Sequence, residues 1–575
     1  MLGVSIEDCT ARREVKAMAG WQVLRRRVRR REFLRYVAAG AGLGVLAACR
    51  AEMAPQATPP PAAAPGRGQG GVLVINDNGD PPSFDSTKTW GYRTHMPMSM
   101  VYPRLVRWGN GPNVGPLDYP VVPYLAAAMP EQPDATTYIF KLRPAKWENK
   151  PPLNGRALTS EDIVKNWQRF SAEHPARLLF EDVDRVEAPA PDTVRFVMKR
   201  PLGPFLAHLA NHGTMYIMPY ELFGTGQLEK DMWSAGPFVF KGYVVGAEER
   251  FEFNPDFFLE GKPRLAGVTI RIVPDTPTTI SMLRTKQIDS TGWLANVVSP
   301  RDLSSLKGDL PNAVFVRYFL SGNFWLGLDL RDPVFQDKRV RQAISMAINR
   351  DDLNKVHVEG EWSLPWGYIP TFHFDPKRNE FPNARYYHYN PAEARALLRA
   401  AGHERLGPYD LYSGRIFWPE QLENAQFIQQ QLRAVGIETN IKELPYAEYY
   451  SLGVVAGRWP SGMFHGINLV GSDPNEHLTQ FWLPNSPRLI SPGLAPFLQQ
   501  DTELLNAIER QKRELDLNRR RDLLRQVVDI MAERMYNVPL VVPALYHMHQ
   551  DYVRELYWIS TAAPGSDWLL EPFKV

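Results

Sequence analysis

Residues 337–350 constrain the fold more than any other stretch of this sequence. Their apolar side chains recur at i, i+3, i+4, i+7 and i+8, which is the spacing of one stripe along an α-helix. The basic residues Lys338, Arg339 and Arg341 lie mostly off that stripe. The sequence therefore predicts a helix with one buried face. The stripe consists of Val340, Ala343, Ile344, Ala347 and Ile348.

Strands are predicted before this helix and near the start of the folded body. Residues 324–330 form a short apolar run, and the Asp332-Pro333 pair after them predicts a turn. Residues 72–75 form a second apolar run, typical of a buried strand. Apolar and polar residues also alternate in other segments, which indicates half-buried strands there. These segments are 138–142, 251–253 and 268–272.

Two further helices have recognisable ends. Residues 159–162 form a capping box, followed by Ile163, Trp167 and Phe170 at helical spacing. A third helix starts at Asn390-Pro391 and stops at Gly402. Strands that alternate with helices predict an α/β fold.

The length and charge of the chain exclude some classes of protein. The chain has 575 residues and a formal net charge of +3. It is therefore too long for one compact domain of ~100–200 residues. A nucleic-acid binder would carry a basic face, which a nearly neutral chain does not suggest. The chain also has 15 tryptophans, enough for some to line a pocket while others pack in the core.

Residues 1–48 are predicted to be a signal peptide. A basic block at residues 25–31 precedes a small and apolar run at residues 36–48, which is too short to span a bilayer. Residues 1–20 lack signal character, and we expect them to come from a start codon placed too early. Residues 30–34 read Arg-Arg-Glu-Phe-Leu and resemble a twin-arginine export signal.

Cys49 is the predicted site of lipidation. It ends the run Leu-Ala-Ala-Cys, which resembles a bacterial lipobox. The only other cysteine is Cys9, which cleavage would remove, so the mature chain can form neither an internal disulfide nor a cysteine metal cluster. Residues 49–71 are rich in Ala, Pro, Gly and Gln and have almost no large apolar residue. They are expected to form a disordered tether.

The sequence contains no motif that would assign a reaction. It lacks the G-x-S-x-G elbow, the H-E-x-x-H zinc motif, the phosphate loop and a G-x-G-x-x-G after a strand. His547 and His549 would share one strand face, but no third metal ligand is evident nearby. His465 and His477 flank residues 466–475 and could contact a chelated metal. We therefore predict no enzyme activity, no cofactor and no resident metal.

Several blocks closely resemble the family 5 extracellular solute-binding proteins of bacteria. The residues around the first helix read N-x-x-x-G-L-D-L…P-V-F-x-D-x-R-V-R-Q-A-I…A-I-N-R, which is similar to a signature of that family. Any single block is weak, but their shared order over nearly everything from Gly71 onward favours the family. The blocks are residues 123–126 with 138–143, 154–163, 235–238 with 254–258, 323–350, 389–402 and 537–540.

The resemblance implies a two-lobed periplasmic-binding-protein type II fold with an extra inserted domain, the three-domain arrangement called cluster C. Domain I would take residues 72–110, 235–312 and 537–575, domain II residues 111–234, and domain III residues 313–536. The chain would then cross between lobes near residues 312–322 and again near 536–546. Two crossings are expected to form a hinge.

The resemblance also implies a cleft between lobes I and III that binds the solute. A loop after the first strand, residues 89–93, corresponds to a cleft-facing loop of the family, and several aromatic residues stand where the family lines its cleft. Core packing is the alternative for each aromatic residue. The residues expected to contact solute are Trp90, Tyr92, Arg93, Trp293, Phe324, Trp325, Phe417, Trp418, Asn468, Val470 and Asp473.

Val470 departs from the family pattern. Peptide-binding members carry an aspartate at this position that pairs with the peptide ammonium group. A buried ammonium without an anion costs several kcal/mol, so Val470 argues against a peptide with a free amine. Asp473 could replace the missing carboxylate, or it could simply form a turn with Pro474.

The predicted function is that of a substrate-binding lipoprotein of an ABC importer. It would capture a peptide-like solute by hinge closure and deliver it to a permease and ATPases on separate chains. The alternatives are a receptor for oligosaccharide or a metal chelate on the same scaffold and, more remotely, an exported hydrolase. The protein is expected to be an exported monomer, anchored in the cell envelope by a lipid on Cys49, with no nucleic-acid partner.

Overall fold

A computed structural model of the protein describes residues 65–88, 91–292, 298–319, 322–356, 360–415, 420–454, 457–469, 471–486, 488–560 and 567–575. The strands are β1 (Val72–Asp77), β2 (Val106–Trp108), β3 (Val121–Pro123), β4 (Glu131–Asp134), β5 (Thr137–Lys141), β6 (Ala145–Lys146), β7 (Ala157–Leu158), β8 (Val183–Ala190), β9 (Thr193–Met198), β10 (Phe238–Val244), β11 (Glu248–Phe253), β12 (Gly267–Ile272), β13 (Val314–Phe319), β14 (Gly322–Leu328), β15 (Glu361–Trp362), β16 (Leu406–Ser413), β17 (Ile437–Glu443), β18 (Met463–Leu469), β19 (Asn537–Pro539), β20 (Val541–Val542), β21 (Ala544–His549), β22 (Val553–Arg554) and β23 (Phe573–Lys574).

The helices are distributed among these strands. The α-helices are α1 (Tyr92–Val101), α2 (Ser160–Glu173), α3 (Phe205–Ala210), α4 (Thr276–Arg284), α5 (Pro300–Asp309), α6 (Pro333–Gln336), α7 (Lys338–Ala347), α8 (Arg350–Val356), α9 (Pro391–Ala400), α10 (Glu420–Ala434), α11 (Tyr446–Tyr449), α12 (Pro474–Phe481), α13 (Leu494–Gln500), α14 (Thr502–Arg513) and α15 (Leu517–Arg534). Short 3-10 helices lie at Arg177–Phe180, Tyr220–Leu222, Gln227–Glu229, Pro370–Phe372, Pro376–Arg378 and Pro382–Tyr387, and Tyr450–Val454 forms a π-helical turn.

Three sheets of four or five strands organise the described residues. The first has the order β1-β12-β11-β10, with β1 and β12 parallel and the other pairs antiparallel. The second is antiparallel and has the order β4-β5-β9-β8. The third is mixed, in the order β17-β16-β18-β14-β19. The predicted α/β class is confirmed.

β13 and β21 run side by side and are connected to the first sheet through Ser290, which forms β-bridges to Ile75 of β1 and His549 of β21. β13 and β21 pair antiparallel along their full lengths, from Val314 opposite His549 to Phe319 opposite Ala544. β14 of the third sheet begins at Gly322, shortly after β13, and β19 of the same sheet ends at Pro539, shortly before β21. The chain therefore enters and leaves the third sheet through two adjacent segments.

The predicted domains can be compared with these sheets. All strands of the first sheet come from residues assigned to domain I, and all strands of the second come from residues 111–234. The third sheet draws on residues 313–536, but also on β19, which lies in a segment assigned to domain I and pairs with β14. The domain boundaries themselves stay a prediction.

The apolar stripe that dominates the sequence is buried as expected. Each of its five residues is fully buried in α7 or directly after it, and the larger side chains of Val340, Ile344 and Ile348 contribute ~1.5–3 kcal/mol apiece. The helix ends at Ala347, however, and a second helix, α8, begins at Arg350. The predicted turn at Asp332 is instead the start of α6, because the Asp332 side chain accepts a hydrogen bond from the Val334 amide.

Arg341 corrects the prediction that the basic residues lie off the stripe. Its side chain is buried, whereas Lys338 and Arg339 remain exposed. The Arg341 guanidinium donates to the carbonyl oxygens of Phe335 and Arg534, so burial of the charge is compensated by hydrogen bonds.

The predicted strands and helix ends are otherwise confirmed. The runs at residues 72–75, 138–142, 251–253 and 268–272 lie in or at the ends of β1, β5, β11 and β12. Thr159 forms the predicted capping box of α2, and Asn390 caps α9 by accepting from the Glu393 amide. Gly402 follows α9 with φ of +88°, a conformation that favours glycine.

Within the part of the chain that the structure describes, no helix combines the length and apolar character needed to cross a bilayer. The predicted signal peptide, the lipidation site Cys49 and the predicted tether up to residue 64 lie outside the described residues. At the end of the predicted tether, the amides of Gly68 and Gly70 donate to the carbonyl oxygens of Pro263 and Arg264, so these residues lie against the folded body rather than forming part of a disordered segment.

Candidate solute-binding site

Tyr92 and Arg93 begin α1, close to the end of β1. The Tyr92 hydroxyl donates to Asn78 Oδ1 at 2.6 Å, and Arg93 Nη2 donates to the same oxygen at 2.8 Å. Arg93 Nε also lies 3.9 Å from Asp77 Oδ1, and 31% of the Arg93 side chain stays exposed. The structure therefore brings these two predicted residues together and leaves part of the Arg93 side chain accessible.

Buried carboxyl groups lie at the same end of the first sheet. Burial raises the pKa of Asp77 to about 7, although Arg93 and backbone amides of Asn78 and Gly79 act in the opposite direction. Burial also raises the pKa of Glu249 well above its usual value, and the nearby Asp77 raises it further. Both carboxyl groups therefore release their protons at a higher pH than exposed carboxyl groups do.

Phe324 and Trp325 lie inside the third sheet, in β14. Both are almost completely buried. Phe324 stacks on the imidazole of His465, with ring centroids 5.4 Å apart, and Trp325 stacks on Phe464 at 5.8 Å. An ideal Cβ on Gly466 would lie only 2.2 Å from the Trp325 ring, so glycine leaves the room that the indole occupies. Both aromatic side chains pack in the core, and solute contact stays a prediction for each.

Asp473 caps helix α12 and forms a buried ion pair. One of its oxygens accepts from the Asn475 amide at 2.8 Å. Arg520 binds both carboxylate oxygens, at 2.6 and 2.7 Å. Burial alone would raise the pKa of Asp473, but the adjacent Arg520 charge outweighs it and holds the pKa below its usual value. Both oxygens thus have partners within the protein, which favours the structural interpretation of Asp473 over a role as replacement ammonium ligand.

The remaining predicted contacts lie wholly or partly outside the described residues. These are Trp90, Trp293, Phe417, Trp418 and Val470. Asn468 lies in β18, opposite Asn323 of β14, but its side chain is also outside the described part.

The candidate histidines are buried among protein groups. His547 contacts the Ser290 and Thr291 hydroxyls at 3.1 and 3.0 Å and stacks on Trp558, and His465 Nδ1 lies 3.1 Å from Ser413 Oγ. Burial lowers the pKa of His477 to about 3. Among the described residues, no group of three or more His, Cys, Asp or Glu side chains is arranged to hold a metal ion.

Glu476 is a buried carboxyl group that the sequence did not single out. Its Oε2 accepts from Asn211 Nδ2 at 2.7 Å, and its Oε1 lies 3.6 Å from His208 Nδ1. Burial raises the pKa of Glu476, partly offset by His208 and Asn211. An ideal Cβ on Gly471 would lie 1.2 Å from Oε2, so the carboxyl group occupies space that any other residue there would fill. It therefore lies against residue 471, next to the predicted contact Val470.

A groove of about 820 Å³ lies elsewhere, between α2 and the segment 220–229. It is lined by charged side chains of both signs, and none of the predicted solute contacts lines it. The charged lining side chains are Asp85, Lys88, Glu161, Lys165, Arg169, Glu173 and Glu229.

Comparison with known families identifies the scaffold. Residues 120–487 match the family model of the bacterial extracellular solute-binding proteins, family 5 (middle region). The chain belongs to this family. Its members are exported or periplasmic proteins that bind solutes for ABC importers, and they are not enzymes.

Curated relatives match most of the length of this chain. The di/tripeptide-binding protein 2 of Pseudomonas aeruginosa is 27% identical over 503 residues, which cover 83% of this chain and 90% of the relative. The glutathione-binding protein GsiB of Escherichia coli K12 is 26% identical over 76% of this chain and 83% of its own length. The family resemblance inferred from the sequence is thereby confirmed.

Solved structures show the same fold. DppA of Helicobacter pylori, in complex with the peptide STSA, aligns with a TM-score of 0.72 and 21% identity over 88% of this chain and 99% of its own. AgaA of A. tumefaciens R10, in complex with agropinic acid, aligns with a TM-score of 0.71 and 19% identity over the same shares. The protein thus has the periplasmic-binding-protein fold of this family, with two lobes and an extra domain.

Proposed function

We propose that this protein is the substrate-binding component of an ABC importer and that it captures a peptide-like solute between its two lobes. Membership of the family supports the general role. The peptide-like solute is supported by the di/tripeptide-binding protein 2 of Pseudomonas aeruginosa, which aligns with this chain over 90% of its own length. Delivery to a permease and ATPases on separate chains follows from this role.

The paired strands β13 and β21 form the proposed hinge between the lobes. They are the two segments through which the chain enters and leaves the third sheet, and they run antiparallel from Val314 to Phe319 and from Ala544 to His549. Two adjacent connections can bend together, so the third sheet can move as one body against the first. A solute then favours the closed form only through contacts that are stronger in that form.

The cell-envelope location is part of the same proposal. Lipidation of Cys49, after export by the twin-arginine route, would place residues 50–64 as a tether between membrane and folded body. The composition of this segment, in which Met53 is the single large apolar residue, supports a tether that stays unfolded. We propose that the anchored receptor acts as a monomer.

The chemistry of the solute has a second candidate. AgaA aligns as well as DppA does, and it binds agropinic acid rather than a peptide. Val470 also lacks the carboxylate that a peptide amine would need. The alternatives are therefore an opine-like acid, an oligosaccharide or a metal chelate on the same scaffold.

A thermal-shift titration of the purified protein separates these candidates. Pools of di- and tripeptides, glutathione, agropinic acid, oligosaccharides and the nickel–histidine chelate are added separately. A solute at 100 times its Kd stabilises the folded state by about 2.7 kcal/mol, which raises the unfolding midpoint. We expect the peptide pool to raise it. Stabilisation by another pool alone would contradict the peptide assignment, and turnover of any pool would contradict the receptor role.

A further inference from the structure

Two polar clusters join residues 177–214 to residues 471–520. The first segment lies within the predicted domain II, residues 111–234, and the second lies within the predicted domain III. Asn211 and His208 contact Glu476 and Asn475, with Asn211 Nδ2 at 2.7 Å from Glu476 Oε2 and Asn475 Nδ2 at 3.1 Å from His208 Nε2. All four side chains are buried.

A chain of hydrogen bonds determines which atom donates and which accepts in the contact between Asn475 and His208. Gln511 Nε2 donates to Asn475 Oδ1 at 2.8 Å, which leaves Asn475 Nδ2 to donate to His208 Nε2. The proton of a neutral His208 then lies on Nδ1, the atom that faces Glu476. Gln511 in turn accepts from Arg520 at 3.1 Å, and Arg520 holds Asp473. Buried side chains of the second segment, Gln511 and Arg520, therefore hold Asn475 in the orientation that contacts His208.

The second cluster is ionic. Asp182 Oδ2 lies 2.8 Å from Lys512 Nζ and 2.6 Å from Arg513 Nη1, and Lys512 also contacts Glu181 at 2.6 Å. Only 1% of the Asp182 side chain and 4% of the Lys512 side chain are exposed. Burial raises the pKa of Asp182, but Arg513 and Lys512 outweigh it and the pKa stays below its usual value. Two cations of one segment thus enclose an anion of the other.

We propose that these two clusters form a latch through which the inserted domain holds the lobes shut over the solute. Charged and amide groups recover much of their hydration when an interface opens, so a polar contact can separate more easily than an apolar one of equal area. The inserted domain would thereby stabilise the closed form without contacting the solute. This inference rests on the proposed function, because it requires that the lobes open.

The latch has one consequence that a solute contact lacks. A group that stabilises the closed form without touching solute changes the affinity for every solute by the same factor. A group that contacts solute changes the affinities by different factors.

Asn211→Asp is the variant that tests the latch. The exchange keeps an acceptor for the Gly213 amide, which bonds Asn211 Oδ1 at 2.7 Å, and replaces the donor to Glu476 by a carboxylate oxygen. Asn166→Asp is the matched control, because Asn166 is also buried but bonds Asp162 and Met218 inside the same predicted domain. In the double variant N211D/E476Q, the glutamine amide can donate to the carboxylate introduced at position 211, which restores one hydrogen bond in the reverse direction.

The readouts are Kd and the dissociation rate for two unrelated solutes that bind the wild type in the thermal-shift pools. We expect Asn211→Asp to raise Kd about tenfold or more for both, mainly by faster dissociation, and Asn166→Asp to change it less than about twofold. N211D/E476Q should recover part of the loss. Equal effects of both single variants, or factors that differ between the two solutes by more than about threefold, would overturn the latch.

A second measurement keeps the latch testable if no pool binds. Small-angle scattering of the empty full chain compares the wild type with Asn211→Asp and Asn166→Asp. We expect a larger radius of gyration for Asn211→Asp alone, since the open form is less compact. An unchanged radius would overturn the latch, whereas absence of binding with an enlarged radius would overturn only the proposed solute capture.

Discussion

The interior of the third sheet and the contact between residues 177–214 and 471–520 are both buried, but they are built from different chemistry. All seven residues of β14 are buried, and α7 adds its apolar stripe nearby. The inter-segment contact instead contains Asp182, Lys512 and Glu476 among amides and imidazole. Exposing the first costs ~25 cal/mol per Å² of apolar surface, whereas groups of the second regain hydration. Under the proposed latch, this difference predicts rigid halves joined by a separable contact.

The largest expected effect is a loss of stability in the apolar core of the third sheet. Trp325→Ala should lower the free energy of unfolding by about 4 kcal/mol, because the indole fills a buried space against Phe464 and Gly466. Chemical denaturation measures this change. Tyr389→Ala, at a tyrosine that is 44% exposed, is the control and should cost less than about 1 kcal/mol. A small loss at Trp325 with abolished solute binding would instead favour its predicted role as a solute contact.

Asp473→Asn should have the next largest effect. It leaves the buried Arg520 guanidinium without its carboxylate, and breaking such a pair costs about 3 kcal/mol. Denaturant titration of this variant is compared with Asp522→Asn, whose carboxylate is 65% exposed and pairs with Arg525 on the same helix as Arg520. Asp522→Asn should cost less than about 1 kcal/mol. Equal stability of the two variants would contradict the interpretation that Asp473 stabilises the fold through its ion pair with Arg520.

His477→Leu should produce an effect that depends on pH. Burial lowers the pKa of His477 to about 3, below its ordinary value of 6.5, so the unfolded chain binds the proton more tightly. This group therefore costs stability as pH falls from 6.5 towards 3, at about 1.4 kcal/mol per pH unit. Relative to wild type, His477→Leu should gain about 2 kcal/mol at about pH 5 and less at about pH 8. A difference that does not change between these pH values would contradict the buried neutral imidazole.

Asp182→Asn should have the smallest effect on stability but a clear effect on closure. It weakens the ionic cluster with Lys512 and Arg513, and we expect about a tenfold rise in Kd, equivalent to ~1.4 kcal/mol. Calorimetric titration with a solute from the pools measures it. Asp184→Asn, at a carboxylate that is 45% exposed, should leave Kd unchanged. A loss of overall stability without a change in Kd would make this contact a permanent part of the core.

Local sequence patterns predicted the parts of the fold that depend on neighbouring residues. The spacing of apolar residues predicted β14 and α7, and Thr159 and Asn390 predicted where helices start. Local patterns did not predict that Arg341 is buried, because its acceptor at Arg534 lies 193 residues away. The break between α7 and α8 was missed for a related reason, since the stripe continues through Ile348 after the helix has ended.

The candidate site was less predictable than the fold. Asp473 was recognised as a residue of interest, but its partner Arg520 lies 47 residues further on and leaves no local signal. Asn211 and Glu476 are 265 residues apart, so their contact could not be inferred from a single sequence. The only local hint was an unusual concentration of polar residues at the start of α12, within a segment that the fold buries.

The distance between the lobes tests the account most directly. Cys9 and Cys49 are replaced by serine in the full chain, and spin labels are placed on the exposed positions Ser171 of α2 and Gln430 of α10. We predict a broad distribution for the empty protein, which includes both the closed and the longer, open distances, and only the closed distance when a solute from the pools is bound. The same distribution with and without bound solute would contradict closure of two lobes.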